Sequence, residues 1–372
     1  MAGSRKIHPV LLAGGSGVRL WPVSTPRHPK PFVRLAGTKT LLQVTAERVT
    51  DPSRFTPPLV VCNKTHRFLV AEQLQQIGIR PQRIVLEPSP RNTAPAACTA
   101  ALVLAENRAD ALLMLAPSDH LVRDVPGFLT AVDRGAEAAA RGRIVTFGAN
   151  PDRAETGYGY VERGEAIDGG AGSFCLKRFV EKPDRATAES YLASGRYLWN
   201  SGMFLMSAER LLSEMESCAP AVLAACREAL AAATVDEDFL RLQESAFARQ
   251  PSVSFDIAVM ERTGHGAVVP IDIGWSDVGC WDALYQAADK DDRGNVLNGE
   301  VLAVDCDNSY LQSAILPIAA LGLEGIAVVG TADALLICPR ARSQDMGIVV
   351  DRLAGDPRFA PLVRHMADES VE

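Results

Sequence analysis

The first 150 residues alternate short apolar runs with longer helical patterns, and this alternation limits the fold more than any other feature. Short apolar runs predict buried strands, here at residues 10–13, 59–62, 84–87, 112–116 and 144–148. Apolar residues spaced three and four apart predict helices between them, at residues 41–49, 66–77, 95–107 and 128–141. The order predicts βαβ units, and therefore a Rossmann-like mixed, mainly parallel sheet with helices on both faces.

The chain is long enough for one large or two ordinary domains. Its 372 residues are 47% hydrophobic and 22% charged, which suits a folded protein with a substantial core. After Asp292 the sequence pattern changes to short apolar runs typical of β-strands, which are separated by Gly, Asn and Asp. These runs indicate a small C-terminal β-solenoid-like appendage. We therefore expect a first domain over residues 1–290 and a second over residues 291–372, the latter with a structural or dimer-contact role.

Charge and hydropathy exclude several classes of function. The net charge of −7 argues against a surface that binds nucleic acid or membrane as a whole. No apolar run reaches the roughly 18 residues of a transmembrane helix, and the N-terminus lacks the apolar core of a signal peptide. The eight scattered cysteines contain no Cys-x-x-Cys pair, which is typical of reduced, mostly buried residues. A cytoplasmic protein is expected.

The first predicted strand runs into the glycine-rich stretch Leu-Ala-Gly-Gly-Ser-Gly-Val-Arg-Leu-Trp-Pro, residues 12–22. Glycines after a strand let backbone N–H groups approach phosphate oxygens, and Arg19 and Lys30 would add positive charge. The stretch is not a P-loop, because no Lys follows Gly17, and Leu20 occupies the third glycine position of a dinucleotide-binding pattern. A glycine-rich hairpin turn is the alternative interpretation.

Polar residues after other strands are the next candidates, because ligands bind beyond the carboxyl ends of parallel strands. Asn92 and Thr93 either present polar groups to a nucleobase or ribose, or merely cap the next helix. Asp119 and Asp277 each follow an apolar strand. Two such carboxylates suit Mg²⁺ bound mostly by substrate phosphates, and an exposed loop carboxylate is the alternative.

Two residues near these carboxylates in sequence are weaker candidates for a direct role in the chemistry. His120 is expected to fill its loop, and Asp272, inside a strand pattern, to be a surface or capping carboxylate.

The middle of the chain adds a second group of candidates. The stretch Gly-Tyr-Gly-Tyr at residues 157–160 predicts a strand against which a ligand could lie. Glu181 and Asn200 could together hold sugar hydroxyls, although a buried Asn is equally a structural bracket. Helical patterns follow at residues 208–217, 220–233 and 236–247.

Taken in order, these motifs resemble the nucleotidyltransferases that make nucleotide sugars, most closely the mannose-1-phosphate guanylyltransferase (GDP-mannose pyrophosphorylase) branch. The resemblance runs from about residue 7 to 290. It is carried by residues 12–22, 29–30, 87–88, 91–95, 116–120, 157–160, 179–183, 199–204, 254–261 and 272–279. Val18 and Pro31 depart from the family, which usually has Thr and Gln there. Because Arg19 and Lys30 are kept, we expect a local difference in loop geometry rather than a loss of activity. The His-rich motif of the isomerase domain in longer members is missing, so we expect no isomerase activity.

The resemblance implies roles for individual residues. The catalytic residues would be Arg19 and Lys30, which face the phosphates, and Asp119 and Asp277, which hold Mg²⁺. Substrate binding would fall to Ala13, Gly14, Gly15, Gly17, Glu87, Asn92, Thr93, Ser118, Gly159, Glu181, Lys182 and Asn200. Within that set, the glycines would hold the GTP phosphates.

The remaining members of the set divide between nucleoside and sugar. Residues 87, 92 and 93 would read guanine, and Ser118 would lie near the nucleoside. Gly159 would lie against the sugar, Glu181 and Asn200 would bind mannose hydroxyls, and Lys182 would bind the sugar phosphate.

The implied reaction converts GTP and α-D-mannose 1-phosphate to GDP-mannose and diphosphate, by Mg-assisted in-line attack of the sugar phosphate on the α-phosphorus. Three alternatives stay open: transfer to another sugar 1-phosphate or from another NTP, a non-catalytic nucleotide-sugar sensor, and a dinucleotide-dependent dehydrogenase. The last is disfavoured because no acidic residue ends the second predicted strand. The resemblance makes a homodimer plausible, and no nucleic-acid or membrane partner is expected.

Overall fold

The computed structural model describes residues 6–15, 17–35, 37–106, 108, 110–167 and 172–363. Ser16 of the glycine-rich stretch, Asn107 at the end of the third predicted helix, and residues 364–372 of the expected second domain lie outside the described residues. The chain divides into two compact units. Unit 1 comprises Met1–Gly14, Leu42–Ser118 and Val122–Trp275, and unit 2 comprises Gly15–Leu41, Asp119–Leu121 and Ser276–Glu372. The expected boundary at residue 290 stays a prediction.

Unit 1 is built on one sheet of eleven described strands. Their order across the sheet is β5-β11-β7-β6-β8-β4-β1-β2-β3-β10-β9. The strands are β1 (Ile7–Ala13), β2 (Leu59–Asn63), β3 (Arg83–Glu87), β4 (Leu112–Pro117), β5 (Ile144–Ala149), β6 (Tyr160–Ala166), β7 (Phe174–Val180), β8 (Tyr197–Ser207), β9 (Thr234–Asp236), β10 (Phe239–Arg241) and β11 (Gly266–Ile271). The first five match the predicted strands in place and order.

The sheet is mixed, so the α/β class is confirmed but the expectation of a mainly parallel sheet is wrong. Strands β4, β1, β2, β3 and β10 pair in parallel, as do β5 and β11. Strand β8 is antiparallel to β4, β5 and β6, and the pairs β6–β7, β7–β11 and β9–β10 are also antiparallel. The physical reason is the connections: no described helix separates β6 from β7, and a parallel pair needs a crossover.

Helices pack on both faces of this sheet. They are α1 (Leu41–Arg48), α2 (Arg67–Gln76), α3 (Thr93–Ala105), α4 (Val125–Ala140), α5 (Arg185–Ser194), α6 (Ala208–Cys218), α7 (Pro220–Ala231) and α8 (Glu244–Ala248). Side chains alternate along β8. Phe204 and Met206 share a buried cluster with α3, α6 and α7, whereas Leu205 lies against Gly135 of α4.

Two local predictions in unit 1 are wrong. Residues 236–247, predicted as a helix, form β10 and parts of β9 and α8, because Glu237 adopts a positive φ of 54° and turns the chain into a short hairpin. Strand β10 then gains parallel hydrogen bonds from β3 at the sheet edge. The stretch 157–159, predicted as part of a strand, precedes β6, which begins at Tyr160.

Unit 2 contains the expected β-helix-like element. Strands β12 (Val296–Asn298), β14 (Tyr310–Ser313), β16 (Ile326–Gly330) and β17 (Leu335–Pro339) form one sheet, and β13 (Val301–Val304) pairs with β15 (Ile318–Leu321). All these pairs are parallel except β16–β17. Two described helices, α9 (Trp281–Ala287) and α10 (Met346–Gly355), complete the unit. The short stacked strands confirm the solenoid-like appendage.

The main core of unit 2 joins segments that are distant in sequence. Leu20 and Trp21 from the glycine-rich stretch are buried with Trp281 of α9, Tyr310 of β14 and Met346 of α10. Trp281 donates a hydrogen bond from Nε1 to the carbonyl oxygen of Trp21 at 3.1 Å. Across the whole described chain, no helix is both long and apolar enough to cross a membrane.

Candidate active site

The strongest concentration of predicted residues is the Lys30 cluster, which we define as Gly17, Lys30, Asp119 and Asp277 of unit 2. Lys30 Nζ lies 3.0 Å from Oδ2 of Asp119 and also donates to the backbone carbonyl oxygen of Asp277. Only 7% of the Lys30 side chain is exposed. One ammonium group therefore contacts the two acidic residues that were expected to bind Mg²⁺.

A short backbone pairing brings the two acidic loops together. Leu121 N donates to Ser276 O at 2.9 Å, and Ser276 N donates back to Leu121 O at 3.1 Å. Val278, immediately after Asp277, is fully buried and has a φ of 39°. That conformation is strained for a β-branched residue, and such strain persists only where the surroundings enforce it.

The charge state of Asp119 is set by opposing effects. Burial alone would raise its pKa, but the Lys30 ammonium and neighbouring His120 outweigh burial, so the pKa of Asp119 lies below its ordinary value. His120 Nε2 is 3.5 Å from Oδ1 of Asp119. Asp119 is therefore an anion at neutral pH, as a ligand of a metal cation must be.

Gly17 meets a steric requirement that no other residue satisfies. Its φ is 60°, and a Cβ placed there would lie 2.5 Å from Cβ of Lys30 and 2.7 Å from Oγ of Ser24. Real Cβ atoms do not approach so closely, so glycine is needed for the turn to pack on Lys30. In contrast, a Cβ on Gly14 or Gly15 would meet no atom within 4 Å, although Gly15 has a φ of 100°.

The other residues predicted to bind phosphate lie just before and just after Gly17 in the sequence. Ala13 is buried at the end of β1, and Gly14 and Gly15 are exposed. Arg19 lies on the 3₁₀ turn Val18–Leu20, where its Nη1 donates to Oε1 of Gln344 at 2.6 Å. The predicted arginine is thus held by a residue that sequence reasoning did not single out.

The donor set of the Lys30 cluster fits a hard divalent cation. No group of three or more His, Cys, Asp or Glu side chains forms a ligand cage among the residues that the structure describes. Mg²⁺ in nucleotide enzymes commonly takes one or two carboxylates and completes its shell with phosphate and water oxygens. Asp119 and Asp277 are the two carboxylates available here, and Lys30 contacts the carboxylate of Asp119 and the backbone carbonyl oxygen of Asp277.

In unit 1, two buried polar atoms at the end of β3 and in the following loop have no hydrogen-bond partner in the described part of the chain. Burial, reinforced by the Cys226 thiol, raises the pKa of Glu87 to about 8. Glu87 Oε1 and Ser89 Oγ are buried without a hydrogen-bond partner among the described residues, and so is Ser118 Oγ after β4. Buried polar atoms are normally paired, so such atoms suit a ligand that supplies the missing bonds.

Asn92 and Thr93 have structural bonds in this loop. Asn92 is the N-cap of α3: its Oδ1 accepts from the N–H of Thr93 at 2.9 Å, and its φ is 68°. Thr93 Oγ1 accepts from the N–H of Phe255 at 2.9 Å. The capping interpretation of Asn92 is therefore correct, and a contact of either residue with a base stays a prediction.

A further set of predicted residues forms the Asn200 cluster, defined as Gly159, Glu181, Asn200 and Asp256 of unit 1. Asn200 Oδ1 accepts from Thr146 Oγ1 at 2.7 Å, and its Nδ2 donates to Oδ1 of Asp256 at 2.8 Å. Asn200 thus bridges Thr146 and Asp256, and the described residues give the second hydrogen of its amide no acceptor.

Glu181 lies beside this amide. A Cβ on Gly159 would lie 2.6 Å from Oε2 of Glu181 and 3.3 Å from Cβ of Asn200, so a larger residue there would displace the Glu181 carboxylate. Lys182 Nζ is 2.9 Å from Oε1 of Glu181. The N–H of Glu181 donates to Oε1 of Glu261 at 3.0 Å, and Lys182 has a φ of 47°. The structure brings together the residues that were predicted to face the sugar.

Sequence reasoning missed Asp256 of this cluster. Burial and the nearby Glu181 charge raise its pKa to about 7, although the bond from Asn200 opposes the rise. The available signal was the stretch 254–261, which carries part of the family resemblance but had been given no residue role. By contrast, Asp272 is exposed after β11, as its surface interpretation predicts.

Comparison with known families now identifies the chain. Residues 8–294 match the family described as Nucleotidyl transferase. The chain belongs to the nucleotidyl transferase family. Residues 299–353 match a second family, the MannoseP isomerase/GMP-like beta-helix domain, in agreement with the stacked strands of unit 2. The resemblance inferred from the sequence motifs is confirmed.

Curated members of the nucleotidyl transferase family are similar over most of the chain. The Xanthan biosynthesis protein XanB of Xanthomonas campestris pv. campestris (strain B100) is 48% identical over 93% of this chain and 73% of its own length. Mannose-1-phosphate guanylyltransferase RfbM of Salmonella typhimurium is 44% identical over 94% of this chain and 73% of its own length.

A solved structure supports the same grouping. It is a crystal structure described as mannose-1-phosphate geranyltransferase from Thermus thermophilus, and it superimposes with a TM-score of 0.83 at 32% sequence identity. The match covers 94% of this chain and 99% of that one. The similarity to that structure therefore extends over nearly all of this chain.

Proposed function

We propose that this nucleotidyltransferase is a mannose-1-phosphate guanylyltransferase, which converts GTP and α-D-mannose 1-phosphate to GDP-mannose and diphosphate. The observation that carries the proposal is the Lys30 ammonium, buried and in contact with Asp119 and Asp277 next to the Gly17 turn. The identities of 43–48% to relatives, most of them named mannose-1-phosphate guanylyltransferase, support the choice of substrates.

The proposed reaction requires positive charge near the reacting phosphates and their correct alignment, and it does not require a proton acceptor. A phosphate oxygen of the sugar phosphate attacks the α-phosphorus of GTP, and the bond from that phosphorus to the β-phosphate bridging oxygen breaks. Since the nucleophile is already an anion, no general base is needed, and diphosphate leaves with the electron pair. Lys30 and Arg19 would hold the reacting phosphates in line and reduce their mutual repulsion.

The proposal includes Mg²⁺ as the cofactor. Asp119 and Asp277 would hold the ion, which supplies positive charge to the triphosphate oxygens when bound. The ionised state of Asp119, and the Lys30 ammonium that contacts its carboxylate and the backbone carbonyl oxygen of Asp277, support this assignment. Lys30 would exchange part of its contact with Asp119 for contact with the phosphates as substrate and metal enter.

Base and sugar recognition are proposed for unit 1. The unpaired atoms of Glu87 and Ser118 support a nucleoside site, in which Asn92 and Thr93 shape the loop. Glu181 and the remaining amide hydrogen of Asn200 would bind mannose hydroxyls. Lys182 would bind the sugar phosphate, and Gly159 leaves the space in which the sugar lies.

The remaining predictions concern assembly and location. We propose a homodimer, which is supported by exposed apolar side chains on the β13–β15 pair: Leu302, Val304 and Leu321. A cytoplasmic location, and the lack of nucleic-acid and membrane partners, remain predictions from composition. Transfer to other sugar phosphates or from other NTPs, and a non-catalytic sensor, are the competing functions.

A substrate panel separates these functions. The purified protein is incubated with Mg²⁺ and mannose 1-phosphate, with GTP, ATP, UTP or dTTP in separate reactions, and diphosphate release is measured. We expect release with GTP only, loss of release with EDTA, and weaker release when glucose 1-phosphate replaces mannose 1-phosphate. Equal release with UTP or dTTP would move the assignment to a broader transferase. Binding of GDP-mannose without release would favour the sensor.

A further inference from the structure

One contact in unit 2 joins the glycine-rich turn to the end of the β-helix-like element. Arg19 Nη1 donates to the side-chain carbonyl oxygen Oε1 of Gln344 at 2.6 Å, across 325 residues of sequence. The two residues also lie on elements that touch, the 3₁₀ turns Val18–Leu20 and Arg340–Asp345. The family roles of the glycine-rich stretch give no function to Gln344.

The segment that carries Gln344 is fixed on both sides. Ser343 is buried, and its Oγ accepts from the N–H of Asp282 at 3.1 Å. Arg340 Nη1 donates to Oδ1 of Asp282 at 2.5 Å, and its guanidinium lies 3.5 Å from the centre of the Tyr285 ring. Met346, two residues beyond Gln344, is buried in the core. The backbone at Gln344 is therefore held in place by its neighbours, which defines where the side-chain amide is attached.

The turn that carries Arg19 is fixed in the same way. Leu20 is fully buried in the core that contains Met346, and Trp21 accepts a hydrogen bond from Trp281. The long Arg19 side chain extends from this anchored backbone. A mobile arginine side chain loses considerable rotamer freedom when it binds a ligand, so a partner that orders it beforehand favours binding.

The hydrogen-bond partner of Arg19 is a neutral amide rather than a carboxylate. An amide oxygen accepts one guanidinium N–H and leaves the remaining donors and the full positive charge available to an anion. A carboxylate at the same position would neutralise the charge and compete with phosphate. Gln344 is thus suited to orient Arg19 without weakening its attraction for a polyphosphate.

We propose that Gln344 is a positioning residue, which holds the Arg19 guanidinium ready for the triphosphate of the nucleotide. This inference rests on the proposed function, because it takes Arg19 as a phosphate ligand. It extends that function to the C-terminal strands: the segment after β17 contributes to nucleotide binding through Arg19, in addition to any structural role.

The test compares Gln344→Ala and Gln344→Glu with wild type, both by calorimetric binding of Mg-GTP and by steady-state kinetics. Loss of one charge-assisted hydrogen bond at an exposed site should raise the Kd and KM for GTP roughly three- to ten-fold in Gln344→Ala. Gln344→Glu should weaken binding further and make it more sensitive to salt. The KM for mannose 1-phosphate should stay within about two-fold of wild type.

Two controls make the result specific. Ala341→Glu adds the same charge to an exposed position on the same turn, and should leave the GTP constants within about two-fold of wild type. In an Arg19→Lys background the effect of Gln344→Ala should disappear, since Gln344 acts by orienting the guanidinium. Thermal unfolding of each variant checks that the exposed substitution leaves the fold intact.

Wild-type binding of Mg-GTP by both Gln344 variants would overturn the inference. So would an equal loss of affinity for both substrates, or an effect that persists in Arg19→Lys. The direct binding measurement keeps these outcomes apart from failure of the proposed function. Wild-type protein that binds Mg-GTP but releases no diphosphate would count against the proposed function alone.

Discussion

Lys30 and Asp119 form an ion pair at 3.0 Å whose side chains are only 7% and 24% exposed. Each charge loses hydration on burial, and the opposite charge compensates for that loss. Because Lys30 also donates to the backbone carbonyl oxygen of Asp277, removal of the lysine would take the cation away from Asp119 and break one link between the two acidic loops. These contacts link the two acidic loops, and under the proposed function the same groups would bind Mg²⁺ and the triphosphate.

Lys30→Ala should lower turnover by about a hundred-fold or more, the scale of losing one key electrostatic group. The same change should lower the thermal midpoint, since Asp119 loses its ion-pair partner. Lys39→Ala, which removes an exposed lysine from the same unit, is the control for the loss of one positive charge. Diphosphate release and thermal unfolding measure both effects. Turnover near that of wild type would remove Lys30 from the mechanism.

Asp277→Asn should also lower turnover by about a hundred-fold while leaving the fold intact. The asparagine keeps an oxygen that accepts from the N–H of Gly279, as Asp277 Oδ1 does at 3.1 Å, but it lacks the charge. The Mg²⁺ concentration for half-maximal rate should therefore rise. Asp272→Asn, which removes an exposed carboxylate, serves as the matched control. An unchanged Mg²⁺ titration in Asp277→Asn would contradict the metal assignment.

Gly17→Ala and Gly14→Ala form a matched pair for the glycine-rich turn. At Gly17 the added methyl group meets Lys30 and Ser24 and must occupy a positive φ, so we expect a loss of about 1–3 kcal/mol in the free energy of unfolding. At Gly14 the space is open, so the loss should be within about 0.5 kcal/mol. Chemical denaturation measures both, and equal losses would refute the steric argument.

Asp256 provides a prediction about pH. Its pKa in the folded protein is about 7, above the ordinary value, so folding favours its protonated form. This contribution to stability is complete at acidic pH and is lost as the pH rises through the folded pKa. Asp256→Asn keeps the acceptor for Asn200 and cannot ionise. The variant should therefore gain stability relative to wild type between about pH 5 and pH 8.

Denaturant unfolding at about pH 5, 6, 7 and 8 measures this difference. Titrating groups away from Asp256 contribute equally to both proteins and cancel in the comparison, whereas the interaction with the nearby Glu181 charge is part of the measured effect. Asp272→Asn controls for loss of a carboxylate at an exposed position. A constant stability difference between wild type and Asp256→Asn over the whole range would mean that Asp256 does not titrate in this window.

The strands of the first half could be predicted because their signals are local. Each apolar run is short and bounded by polar residues, glycine or proline, so β1 through β5 were placed correctly. The short β9 and β10 were not, because residues 236–247 have a helix-like spacing, and their strand conformation depends on pairing with distant β3. The antiparallel orientation of β8 is likewise set by tertiary neighbours.

In the candidate site, too, the residues in local motifs could be predicted, whereas the features that depend on tertiary structure could not. Residue types and motif order indicated Lys30, Asp119 and Asp277, but the backbone pairing of the two acidic loops that brings them together is a tertiary feature. Asp256 was missed although it stands in the motif of residues 254–261, because that motif was given no residue role, and Gln344 was missed because it stands in no distinctive local pattern. Their importance depends on partners that are distant in sequence and adjacent in space.

The most direct test of the proposed function is the identity of the products. Purified protein is incubated with Mg²⁺, GTP and mannose 1-phosphate, and the mixture is separated by anion-exchange chromatography with mass detection. We predict GDP-mannose and diphosphate in equal amounts, formed by wild type and nearly abolished in Lys30→Ala. If GTP is consumed without GDP-mannose, or if neither substrate is consumed under these conditions, the assignment as a mannose-1-phosphate guanylyltransferase is contradicted.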